Sequence, residues 1–238
     1  GAVRWDWLTG AILSHDSDGS GMDDGDVASI AMSPTGTVLA VGTRHSRIDL
    51  IDTTTWEIVA TRSLDPPEDW VTDLVWQRDG TLAFLLSSDP DIKRWDTTRD
   101  VLLPDLPTGL ESGQQPWSLQ LSPDETLLAV GTAMQEGELG SPGIVSVVAL
   151  LDWPTGVLVS GPFGEHFSTV QVLTWSPDGS TLVSVGFDNR VVIRDGRTGH
   201  PRGGPRDGLV TTGASGPLFI DDATILTTDP TGTRVTRL

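Results

Sequence analysis

The 238-residue chain has no cysteine, and Lys93 is its only lysine. Without thiols, disulfide bonds and thiolate metal sites are excluded. No apolar run approaches the ~20 residues needed to span a bilayer, and the N-terminus lacks a signal-like pattern. No glycine-rich phosphate loop opens a helix, and neither H-E-x-x-H nor G-x-S-x-G occurs. Basic residues are scarce, 15 against 33 acidic ones, for a net charge of −18. A field of that sign repels nucleic acid and anionic lipid, which bind through Lys and Arg. Nucleic acid and membrane are therefore not expected as partners, and a cytoplasmic protein is the default. Solubility is the simpler account of the acidity, ahead of a dedicated basic partner.

What the chain does have is a repeat. In residues 170–199, a β-branched and aromatic run from Val170 to Trp175 is followed by the turn Ser176-Pro177-Asp178-Gly179. Thr181 to Val185, a break at Gly186 to Asn189, and Val191 to Arg194 come next, closed by a D-x-x-T-G turn from Asp195 to Gly199. Period-two patterning between turn signals predicts an antiparallel meander and no helix. The closing aspartate returns as Asp6, Asp52, Asp96, Asp152 and Asp195, at spacings of 46, 44, 56 and 43. The first turn returns as Ser33-Pro34-Thr35-Gly36, Gln77-Arg78-Asp79-Gly80 and Ser122-Pro123-Asp124-Glu125. A period in the forties with four strands per unit marks propeller blades.

At these residues the chain resembles the WD-repeat β-propeller family, whose dipeptide stands at Trp5-Asp6 and Trp95-Asp96. The resemblance implies an all-β propeller of four-stranded antiparallel blades, about five of them here. Expected units are 1–14 (partial), 27–61, 70–104, 116–160, 170–203 and 211–238 (partial), with 105–116 as a polar connection. An insertion at 132–143 falls between the second and third strands of its unit. Because Trp5 and Leu238 occupy the same repeat position, the expectation is a window from a ring of about seven blades. Open blade faces would then favour self-association.

The family's hydrogen-bonded chain of His, Ser or Thr, Asp and Trp maps onto His166, Ser184 and Asp188, with Arg194 in place of the tryptophan and the chain incomplete there. Asp91 or Asp89 with Trp95 gives a second partial set, with Pro67 where its histidine belongs. His166, Ser184 and Asp188 are triad residue types, but the blade explains their spacing and the expected role is structural. Trp76 and Trp175 are expected in the core. Trp70 and Trp117, read at the starts of blades, are candidate binding residues, against the blander account that each packs between blades. The resemblance implies that these starts open onto the face around the channel, and aromatics are common interface anchors.

The expected function is a non-catalytic protein–protein interaction scaffold within a larger intracellular signalling or regulatory protein. An enzymatic propeller of the lactonase or quinoprotein kind is the alternative; it needs a metal or cofactor on the channel face, for which the sequence offers no cluster. No cofactor is expected apart from calcium. Asp16, Asp18, Ser20 and Asp24 alternate oxygen ligands around Gly21, as calcium loops do, although Val27 stands where an EF-hand needs glutamate and acidic loops are common without metal. If the loop binds, millimolar calcium raises the melting temperature and Asp18→Ala abolishes the rise; an unchanged melting curve removes the site.

Overall fold

The computed structural model describes residues 3–5, 12–15, 27–110, 114–134, 146–207, 217–229 and 232–238. Among them there are strands and no helix. A short antiparallel pair, β1 (Val3–Trp5) and β2 (Ile12–His15), comes first. The first four-stranded sheet is β3 (Val27–Met32), β4 (Val38–Thr43), β5 (Arg47–Asp52) and β6 (Ile58–Ser63). The second is β7 (Val71–Trp76), β8 (Thr81–Leu86), β9 (Ile92–Asp96) and β10 (Val101–Leu106). The third is β11 (Gln114–Leu121), β12 (Leu127–Met134), β13 (Ser146–Asp152) and β14 (Leu158–His166). The fourth is β15 (Val170–Trp175), β16 (Thr181–Gly186), β17 (Arg190–Asp195) and the two-residue β18 (Arg206–Asp207). A three-stranded sheet of β19 (Leu218–Asp221), β20 (Thr224–Asp229) and β21 (Gly232–Arg237) ends the chain. Every sheet runs in sequence order with antiparallel neighbours, and the first strands of successive sheets from β3 to β19 pack side by side. These are the blades of a propeller.

Several boundaries differ from the sequence expectation, the third blade most, running from Gln114 to His166 against the expected 116–160. Gln114 to Pro116, expected in a connection, pair with Met134 to Thr132, expected in an insertion, so the first hairpin of the third blade is longer than its siblings. The rest of the expected insertion, 135–143, lies outside the described residues. In the fourth blade the outer strand shrinks to β18 plus a single bridge from Arg194 to Pro201. His200 to Pro205, with two prolines and two glycines, cannot sustain a ladder.

Burial explains why these residues form these strands. The second strands β8 and β16, TLAFLL and TLVSVG, are buried at every position, because both faces of each blade are covered by neighbours. Continuous apolar runs are what such strands require. The core accordingly lies between blades: Ile48 and Leu50 of the first pack with Leu74, Phe84 and Trp95 of the second, and Val148 and Leu150 of the third pack with Leu173, Trp175 and Leu182 of the fourth.

The repeated turns hold their shape through side-chain oxygens. In the first turn the Ser33, Ser122 and Ser176 hydroxyls accept from the N–H groups of Val38, Leu127 and Thr181 at 2.9–3.0 Å. Its fourth residue is left-handed throughout, at φ 70° for Gly36, 90° for Gly80, 58° for Glu125 and 71° for Gly179. Glu125 bears that strained backbone and its carboxylate accepts from Arg78 N–H of the second blade at 3.0 Å. In the second turn Asp52 Oδ1 accepts from Thr54 and Thr55 N–H, at 2.7 and 2.9 Å, and Asp195 Oδ1 from Arg197 and Thr198 N–H, at 3.1 and 3.0 Å. These backbone bonds hold the Asp52 carboxyl below its ordinary pKa.

Neighbouring blades are tied at one register of their first strands. Ser29 Oγ donates to the Val71 carbonyl at 2.7 Å and Ser118 Oγ to the Val170 carbonyl at 2.9 Å. Between the second and third blades the same register holds Asp73, whose Oδ2 accepts from Leu119 N–H at 2.7 Å. Further along, the Trp76 and Trp175 indoles reach back to the carbonyls of Ala31 and Gln120. Opposite Ser29 and Ser118 stand Gly42 and Gly131. A Cβ on Gly131 would lie 2.6 Å from Val170 Cγ1 and would also strike Ser118. Gly131→Ala should therefore cost about 1–3 kcal/mol, as overpacking does, read as a lower midpoint in urea unfolding; an unchanged midpoint would show that the blades can separate freely.

Candidate functional site

The first strand of each four-stranded blade carries a register shift, which leaves one residue out of the ladder: Ala28, Thr72, Trp117 and Gln171. Bulges re-aim side chains, and all four line one cavity of about 780 Å³ at the mouth of the channel. Trp70, just before β7, and Arg44 and Phe187, each just past the second strand of its blade, complete the rim. Trp70 and Trp117 meet with ring centroids 6.5 Å apart, tilted by 60°. Arg44 lies over the Trp70 ring at 4.7 Å, which leaves Trp70 still 40% exposed. Deeper, a second cavity of about 430 Å³ continues between the first strands, and Asp73 and Gln171 line both.

The structure thus brings Trp70 and Trp117 together, though not at equivalent positions. Trp70 precedes its strand, whereas Trp117 is the bulged residue inside β11. Sequence reasoning missed Arg44, Phe187 and Asp73. Arg44 and Phe187 share a repeat position, one past Thr43 and Gly186, which pair with Val27 and Val170. That equivalence is a signal the repeat register could have supplied.

Asp73 is the acid of this mouth. Its oxygens accept from the N–H groups of Leu74 and Leu119, at 2.8 and 2.7 Å, yet burial outweighs those bonds and pushes its pKa up to about 7. Beside it the Thr72 hydroxyl oxygen is buried without a hydrogen-bond partner.

The second constellation lies between the third and fourth blades. His166, fully buried at the end of β14, places Nε2 2.9 Å from Ser184 Oγ and Nδ1 3.2 Å from Asp188 Oδ1. Arg194 does not leave the chain incomplete: its Nε donates to Ser184 Oγ at 3.3 Å, its Nη1 to the Gly199 carbonyl at 3.3 Å and its Nη2 to Glu165 at 2.6 Å. The guanidinium supplies the N–H an indole would offer, and Glu165 balances the buried charge. His166, Ser184 and Arg194 are fully buried, so the imidazole and the hydroxyl have no open face for a substrate.

The set expected at Asp91 and Trp95 is not assembled. Trp95 is buried and donates its indole N–H to Asp100 at 3.1 Å, not to Asp91 or Asp89. Phe84 occupies the register of Ser184, so no hydroxyl is available there, while Asp100 reaches the indole from its own left-handed backbone, φ 56°. Asp89 instead pairs with Lys93 at 2.6 Å. Trp76 and Trp175 are core residues, 9% and 7% exposed. Asp16, Asp18, Ser20 and Asp24 lie outside the described residues. Among the described residues no group of three His, Asp or Glu could hold a metal ion, and no helix is long and apolar enough to cross a membrane.

Residues 158–195 match the family model described as WD domain, G-beta repeat. That span begins on the outer strand of the third blade and ends on the third strand of the fourth, so one repeat joins two sheets. A chain in the crystal structure of the mitotic checkpoint complex superimposes with a TM-score of 0.69, over 98% of this chain and 72% of that one, at 19% identity. No curated protein matches the chain. The fold is a β-propeller, all-β and built of four-stranded antiparallel blades. The repeat at 158–195 is a WD repeat. Solved chains that match number 1524, so the architecture by itself selects no partner.

Asp188 gives the buried network a pH dependence. Burial raises its pKa, but bonds from His166 and from the Phe167 and Arg190 N–H groups outweigh that and hold it below the ordinary aspartate value. A depressed folded-state pKa contributes stability that is complete above about pH 4 and lost as pH falls through the folded value. Asp188→Asn should therefore flatten the acid limb of stability against pH; an equally steep limb in both proteins would remove Asp188 as its source.

Proposed function

We propose that the chain is a non-catalytic interaction platform, part of a larger intracellular signalling or regulatory protein, and that it binds a protein partner at the channel mouth. The observation that carries this reading is the meeting of Trp70 and Trp117 across a concave opening, with Arg44 stacked on the rim. Large aromatic side chains dominate the energetics of protein interfaces, where they bury wide area at little entropic cost. The blades present them on a rigid frame, because each bulge that aims a mouth residue is fixed within a ladder. WD-repeat propellers as a family are generally non-catalytic and bind proteins.

Affinity capture from extracts of the source cell, with wild-type chain and the Trp70→Ala/Trp117→Ala variant as paired baits, tests the assignment. A hot-spot residue costs at least about 2 kcal/mol on truncation, roughly thirtyfold in Kd. Proteins captured by wild type should therefore be lost from the variant at matched melting temperature. Equal capture by both baits would move the interaction surface elsewhere.

A further inference from the structure

We infer that the mouth cavity takes the guanidinium or ammonium group of a basic segment of a protein partner, seated against Trp70 and Trp117 and directed at Thr72 and Asp73. The inference rests on the mouth being the interaction surface and names the chemistry it selects.

Four observations converge. Trp70 and Trp117 form a tilted pair with exposed ring area, and indole faces attract cations through their quadrupole. Arg44, stacked at 4.7 Å, shows that this rim holds a guanidinium. In the same lining stand two oxygens able to accept from a cation: the Thr72 hydroxyl, which has no hydrogen-bond partner, and the Asp73 carboxyl. That carboxyl is held by two backbone N–H groups and lines both the mouth and the channel beneath it. The net charge of −18 speeds the approach of basic partners.

The groups that face Asp73 from the packed strands are Ile30, Leu85, Leu119, Gln120 and Gln171, none of them titratable. Arg44 is the other charged group lining the mouth among the described residues, and it is committed to the Trp70 ring. Among the described residues, Asp73 thus lies in the wall with no cationic side chain beside its carboxyl. Burial raises its pKa to about 7, so near neutrality it holds a proton part of the time. An incoming cation favours the carboxylate and expels that proton. Affinity should then rise with pH through 7 and level off above it.

The test uses the whole chain and a pentapeptide probe, acetyl-Gly-Ala-Arg-Ala-Gly-amide, with lysine, glutamine and glutamate versions, followed by NMR at the tryptophan indole N–H signals. The arginine or lysine peptide should bind, with an affinity about tenfold higher at pH 8 than at pH 6, as linkage to one proton of pKa about 7 requires. Comparing the two shows which cation fits. Asp73→Asn should abolish the pH dependence, and Arg44→Gln should strengthen binding by removing a competing cation from Trp70. Preference for the glutamate peptide, a pH-independent affinity, weaker binding by Arg44→Gln, or no binding of either basic peptide would each overturn the inference. If the basic peptides fail while the tryptophan variant still loses its captured proteins, the interaction surface stands and only its cation chemistry falls.

Discussion

Each first strand has to satisfy two neighbours: its own sheet through the ladder, and the next blade through a side chain at one register. Ser29, Asp73 and Ser118 meet that second demand with a single hydrogen bond each. The rest of the molecule follows from this lateral tie. Next to this register the ladder skips one residue in each of the four-stranded blades, the fourth included although Val172 offers no such bond, and the skipped residue lines the channel mouth. The features that join the blades are therefore the same ones that furnish the mouth. Where a hydroxyl serves, as at Ser29 and Ser118, the facing residue is glycine and the next blade comes close. Where a carboxylate serves, at Asp73, the facing residue is Leu85 and a titratable group is left in the wall.

Much of this was readable from the chain, for a physical reason. The S-P-D-G and D-x-x-T-G turns are fixed by local hydrogen bonds from their own side chains, so their spacing revealed the repeat and the strands between. Trp76 and Trp175 are recognisable as core because each stands directly before the repeat's first turn. The bulges were not readable. A bulge leaves no composition signature, since Ala28, Thr72, Trp117 and Gln171 share no chemistry. Trp117 accordingly read as the beginning of a blade when it lies inside β11. Asp73 was invisible for a related reason. An acidic residue inside an apolar strand reads as solvent-facing, and only the neighbouring blade, contributing Leu119 N–H, makes it an acceptor between blades.

The two positions read as family networks show how one register accommodates different chemistry. Trp95 and Arg194 both lie in third strands, paired with Leu82 and Leu182, and both donate into the turn that follows, to Asp100 and to the Gly199 carbonyl. An indole needs one acceptor. A guanidinium needs several, and finds them in Ser184, Gly199 and Glu165. Compared by residue type the arginine is a gap in the pattern, whereas the interior requires only donors aimed at acceptor oxygens.

Glu165 belongs to the outer strand of one blade and Arg194 to the next, so their pairing constrains the order in which the repeat can change. Replacing Glu165 first would strand a guanidinium that has no solvent contact. Replacing Arg194 first leaves a carboxylate that still reaches water, since Glu165 keeps 20% of its side chain exposed. Genetic drift at this seam is thus directional: the arginine can be replaced ahead of its partner, while the glutamate is held in place for as long as the arginine remains.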